Sequence, residues 1–217
     1  MTAVEQPTVG ARSFETGCGR QVRVGTMILG DSQWSALRVS VDIGACPGCG
    51  DGTWVTFTTA EARQLAGALL AEAAAAEHPD RPPRMPAGQL AVTHADGDSY
   101  TIVTRGHTVL VDQPIDAGGA DTAATPTEMF VGSLASCVAF YAGQFLQRHG
   151  LDRHGLSVSA DFTMAADRPA RVAAVRLRIA VPAGVPAERR AALLAVASHC
   201  TVHNTVQHPP AVHIELS

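Results

Sequence analysis

The chain has 217 residues, 46% of them hydrophobic, and a net charge of −4: enough to bury the core of one domain, or of one domain with a small appendage, and too acidic to favour a nucleic-acid partner. It contains no lysine, so Schiff-base chemistry and a phosphate-loop lysine are excluded and any fixed cation in a site must be an arginine. No apolar run reads as a membrane span and no signal peptide is seen at the start, so the expected compartment is a reducing cytoplasm. In chain order, Gln21 to Leu29, Ser35 to Ile43 and Trp54 to Phe57 read as strands, the second alternating through Leu37, Val39, Val41 and Ile43. Thr58-x-x-Glu61 is a capping box that opens an alanine-rich helix to about Glu77. This β-β-β-α unit, residues 1–78, is expected to be a small α+β accessory domain. The prolines of 79–88 read as a linker.

Beyond the linker, Leu90 to Thr93, Tyr100 to Thr104 and His107 to Val111 are predicted strands, followed by a loop with Gly118-Gly119. Thr125-Pro126-Thr127-Glu128 is a second capping box, with proline at the first helical position. The helix it opens runs to about His149, with Phe130, Leu134, Cys137, Val138, Tyr141 and Phe145 at helical spacing. Strands Leu156 to Met164 and Val172 to Val181, a helix from Pro186 to His199 and a final strand Ala211 to Leu216 complete a second domain, 89–217.

Two of the five cysteines fall in this domain, Cys137 within its first helix and Cys200 at the end of its second. The residues leave three readings open. Both can be small buried hydrophobes. Cys200 can join His199, His203 and His208 around a metal. Or the two can form a redox pair, which needs a thiolate, a nearby cation and disulfide reach.

The segments RGHTVLVDQPIDAGGADTAATPTEMFVGSLASC and HCTVHNTVQHPPAVHIEL, within about residues 89–217, resemble the OsmC/Ohr family of thiol peroxidases. The shared layout is a strand, an acidic-proline and Gly-Gly loop, Pro-x-Glu, a helix with the first cysteine, and a second cysteine about sixty residues later. The resemblance implies an α+β fold of antiparallel sheets around two central cysteine-bearing helices, in an intertwined homodimer. It implies that Cys137 is the peroxidatic cysteine, Cys200 the resolving one, and Glu128 the glutamate that holds an activating arginine, for which Arg105 is the candidate. The implied activity is reduction of organic hydroperoxides through a Cys137 sulfenic acid and a Cys137–Cys200 disulfide. An external dithiol regenerates the pair, and no cofactor is required.

Cys46-Pro47-Gly48-Cys49, with Cys18 upstream, lies outside that resemblance. These three cysteines are read as plain turn residues, as part of a structural zinc site that still lacks a fourth ligand, or as a second redox pair. Two further functions therefore stay open: a non-catalytic small-molecule-binding protein of the same fold, and a zinc-binding regulator.

Overall fold

The computed structural model describes residues 11–30, 35–46, 48, 50–80 and 84–216. It divides into two compact units: the described residues up to Ala95 with Tyr100–Leu110, and Asp96–Ser99 with those from Val111 onward. The described residues of the segment 79–88, expected as a linker, fall within the first.

The first unit carries a four-stranded antiparallel sheet of β1 (Arg12–Glu15), β2 (Gln21–Gly30), β3 (Ser35–Ile43) and β4 (Thr53–Phe57), in that order. The sheet is thus one strand larger than the predicted β-β-β-α. β1 is only four residues, all exposed, and shows no alternation of burial to reveal it. Helix α1 (Thr59–Glu77) packs on β3 and β4. Its capping box forms as predicted: Thr58 N–H donates to Glu61 Oε2 at 2.7 Å and Glu61 N–H to Thr58 Oγ1 at 3.2 Å. Only Ala74 of α1 is buried. An antiparallel sheet of β5 (Leu90–His94), β6 (Tyr100–Thr104) and β7 (His107–Val111) follows, with β6 and β7 joined through Arg105-Gly106.

The second unit is built on α2 (Pro126–Arg148). The loop before it is stapled by Asp112, which is 1% exposed. Its carboxylate accepts N–H groups from Gln113, Ala120 and Thr122 and the Thr122 hydroxyl, at 2.8 to 3.2 Å. These bonds hold its carboxyl well below the usual carboxylate range, Thr122 contributing most. Gly119 is required there, because a Cβ would sit 2.0 Å from the Gln113 carbonyl oxygen. At the far end Gly150 takes φ 66°, its N–H bonding Gln147 O while Leu151 N–H bonds Leu146 O, a Schellman stop.

Behind α2 lie the antiparallel hairpin β8 (Ser157–Met164) and β9 (Val172–Ala180), then α3 (Ala187–Ala197) and α4 (Thr201–Gln207). The core joins Leu134, Val138, Ala142, Phe145 and Leu146 of α2 to Val185, Leu193, Ala197 and Cys200. Three expectations need correction. The helical stripe is rotated from the predicted one, with Val131, Ala142 and Leu146 buried and Phe130 exposed. At 23 residues α2 is long and apolar enough to cross a bilayer by length and composition, although here one face of it forms the core. The third is the final strand: Ala211 to Leu216 forms none, since alternation sets a preference for extended chain but pairing requires a neighbouring strand.

Candidate functional site

Cys137 sits in the middle of α2, half-buried, with Leu134 and Tyr141 one turn away on either side. Cys200 is fully buried. It does not end a helix, as the sequence suggested, but lies between two. The chain leaves α3 at Ala197, turns through Ser198 and His199, and Cys200 caps α4, its Sγ accepting the His203 N–H at 3.4 Å. That short second helix escaped the sequence reading because its composition gives no apolar period: TVHNTVQ carries only two valines.

Because α3 and α4 both pack on α2, the two sulfurs, 63 positions apart in the chain, lie against each other. The Cys200 thiol is pushed up in pKa, chiefly by burial and also by hydrogen bonding and charge from Cys137, while the His203 and Val202 N–H groups partly oppose the rise. Cys200 is therefore held as the neutral thiol. Two sulfurs in contact meet the reach that a disulfide-forming pair needs, while Cys200 must still give up its proton to attack.

The turn carrying Cys200 is braced. The His203 ring bonds the Ser198 carbonyl, and Asn204 Nδ2 donates to His199 O at 3.2 Å. Across from it, Tyr141 Oη and Thr201 Oγ1 are 3.0 Å apart. A cavity of about 390 Å³ in the same unit is walled by Val138, Leu177, Ile179, Val181, Leu193 and Leu194, with Ala197, Ser198, His203 and Arg190 completing it; neither cysteine lines it. Tyr141 and Arg190 were not picked out by sequence. Tyr141 read as core, and Arg190 lies in a run, AERRAALL, that looks like any solvated helix face.

Glu128 is the third residue of α2 and its carboxylate accepts the Thr125 N–H at 2.8 Å, which lowers its pKa. No ion pair reaches it among the described residues. Arg105 occupies the β6–β7 turn with φ 53°, its carbonyl accepting the Met85 N–H at 2.8 Å. It belongs to the first unit, whereas Cys137, Cys200 and Glu128 belong to the second.

The N-terminal cysteines also draw together. Cys18 lies in the turn from β1 to β2, and the buried Cys46 thiol donates to its carbonyl at 3.1 Å. Cys46 and Gly50 exchange backbone hydrogen bonds at 3.0 and 2.9 Å, and Arg20 donates to Gly50 O at 3.1 Å. Cys49 lies outside the described residues. Among the described residues no three His, Cys, Asp or Glu side chains come together to hold a metal. Cys18 and Cys46 alone fall short of the four ligands of a structural zinc.

Residues 118–215 match the family described as OsmC-like protein. This chain carries an OsmC-like domain. Its fold is also that of a solved structure from Psychrobacter arcticus 273-4, described as an osmotic stress induced and detoxification response protein. The two share 23% identity at a TM-score of 0.51, over 56% of this chain and 89% of that one. An organic hydroperoxide resistance protein OsmC from Legionella pneumophila aligns at 16% identity and a TM-score of 0.43, over 57% of this chain and 92% of its own. No curated protein matches the chain.

Proposed function

We propose that this chain is a thiol-dependent peroxidase that reduces organic hydroperoxides. The observation that carries the reading is the meeting of the Cys137 and Cys200 sulfurs in an apolar core. The OsmC-like domain, and the detoxification named for the Psychrobacter relative, support it.

The Cys137 thiolate attacks the distal oxygen of the hydroperoxide. The O–O bond breaks, Cys137 becomes a sulfenic acid, and the alkoxide takes a proton and leaves as the alcohol. Cys200 then displaces the sulfenic oxygen as water, giving the Cys137–Cys200 disulfide, and an external dithiol reduces it by exchange. The apolar cavity beside Val138 favours organic over hydrogen peroxide. The thiolate needs a cation, and with no lysine two arginines compete for the role: Arg105, by family resemblance and with Glu128 to orient it, and Arg190, by its place on the cavity wall.

The working unit in this proposal is a homodimer. Phe130 and Phe140 on α2, Leu194 on α3, and Val212, Ile214 and Leu216 of the tail are all exposed, and a second copy would cover them. Light scattering at micromolar concentration should give twice the chain mass; a monomer defeats this part. The peroxidase itself is tested by hydroperoxide-dependent loss of thiols: wild type should lose two per peroxide consumed. Thiols that stay untouched while hydroperoxide binds would favour the binding-protein reading, for which the same cavity is the supporting observation.

A further inference from the structure

We infer that Tyr141 and Thr201 form a latch that holds Cys200 against Cys137 for disulfide formation. This deepens the peroxidase reading and names positioning residues for its resolving step. Tyr141 follows Cys137 by four residues on α2, so both project from one face of the helix. Thr201 follows Cys200 directly and is the first residue of α4. The 3.0 Å bond between their hydroxyls therefore ties the two backbones one turn, and one residue, from the reacting sulfurs. Apart from the thiols themselves, no other side-chain hydrogen bond joins α2 to α4 among the described residues.

The other side-chain hydrogen bonds of the Cys200 turn run within it or back to α3: His203 on Ser198, Asn204 on His199 and His199 on Ala195. None of these bonds reaches α2, which the latch does. In the resolving step the Cys200 sulfur attacks the sulfur of the Cys137 sulfenic acid. The S–S bond forms, the S–O bond breaks, and the departing hydroxide leaves as water with the proton of the Cys200 thiol. The oxidant is the hydroperoxide already consumed. A disulfide tolerates little error in distance or dihedral, so holding the attacker in place raises the rate.

The test uses the full chain with Cys18, Cys46 and Cys49 changed to serine. In single turnovers with cumene hydroperoxide, Tyr141→Phe and Thr201→Val should consume the first equivalent at the wild-type rate. Their dimedone-trappable sulfenic acid should persist roughly threefold to tenfold longer, the worth of one hydrogen bond. Thr201→Ser, which keeps the hydroxyl, should resolve like wild type. Independently of any peroxide, the Cys137–Cys200 equilibrium with glutathione should shift toward the dithiol by a similar factor in Tyr141→Phe and Thr201→Val. Unchanged resolution and an unchanged glutathione equilibrium overturn the latch. Equal losses in attack and resolution also overturn it, because they indicate a structural defect. A wild type that forms no sulfenic acid overturns the peroxidase reading instead, and the glutathione equilibrium then decides the latch alone.

Discussion

Both units of this molecule bring distant cysteines together, and they do so differently. In the first, Cys46 spends its thiol on the carbonyl of Cys18, within a turn fastened by backbone bonds to Gly50. In the second, two sulfurs converge from packed elements, and Cys137 helps raise the pKa of Cys200. Separation along the chain is a poor guide to which pair can react: Cys18 and Cys46, joined across the β2–β3 hairpin, meet thiol to carbonyl, while Cys137 and Cys200, separated by a hairpin and a helix, meet sulfur to sulfur. The largest expected effect tests that contrast. Cys137→Ser should abolish hydroperoxide reduction, and Cys200→Ser should consume about one equivalent and stall as sulfenic acid. Cys18→Ser with Cys46→Ser should keep turnover within about twofold when an excess of small-molecule dithiol is supplied. Steady-state peroxide assays decide it, and loss of turnover in the N-terminal double variant would move the chemistry to the first unit.

The helices of the two units differ as their cysteines do. α1 is alanine-rich and exposes Leu69, 62% accessible, while α2 seals Leu146 completely. Leu146→Ala should cost about 2–5 kcal/mol, the usual penalty for emptying a core position. Leu69→Ala should lie within about 0.5 kcal/mol of wild type. Chemical denaturation of both variants checks the pair, and similar losses would mean that α1 is covered in solution.

How far the sequence foretold this follows from the same contrast. The capping boxes at Thr58 and Thr125 and the helix through Cys137 were readable because each depends on residues within a few positions. Arrangements that depend on distant partners were not. Nothing in TVHNTVQ announces a helix until Cys200 caps it against α2, and nothing in Val212, Ile214 and Leu216 tells which strand, if any, they would join. The family layout singles out Cys137 and Cys200 as candidates, but the cation remains a choice between Arg105 and Arg190, since a guanidinium can approach a helix from any element. The pH dependence of Cys137 alkylation in single-cysteine variants separates them: the correct Arg→Ala should raise the apparent pKa by roughly 1 to 3 units, and the wrong one should leave it fixed.

A smaller effect comes from Asp112. Its folded pKa is depressed, so the stability it contributes is present above the ordinary carboxylate pKa of about 4 and is lost as pH falls below it. Asp112→Asn should unfold more easily at neutral pH and lose part of the acid sensitivity seen below about pH 4. Thermal melts from pH 7 to pH 2 check both, and a variant with an unchanged acid slope would show that other carboxylates control it.

The smallest expected effect returns to the sulfurs. Burial is the main cause of the raised Cys200 pKa, with Cys137 second to it among the causes that raise it. Cys137→Ser should therefore move the Cys200 alkylation curve down only part of the way toward an ordinary thiol. Linkage fixes the sign for stability. A thiol whose folded pKa is raised contributes stability that is fully present below the unfolded value of about 8.5 and is lost as pH rises through the folded one. Alkaline melts of the wild type should thus fall more steeply above about pH 8.5 than those of Cys200→Ser. Iodoacetamide labelling of Cys200 against pH, in chains whose other cysteines apart from Cys137 are serine, gives the direct reading. A Cys200 curve that does not move when Cys137 is removed would mean the two sulfurs do not sense each other, and the contrast with the Cys18–Cys46 turn would then rest on burial alone.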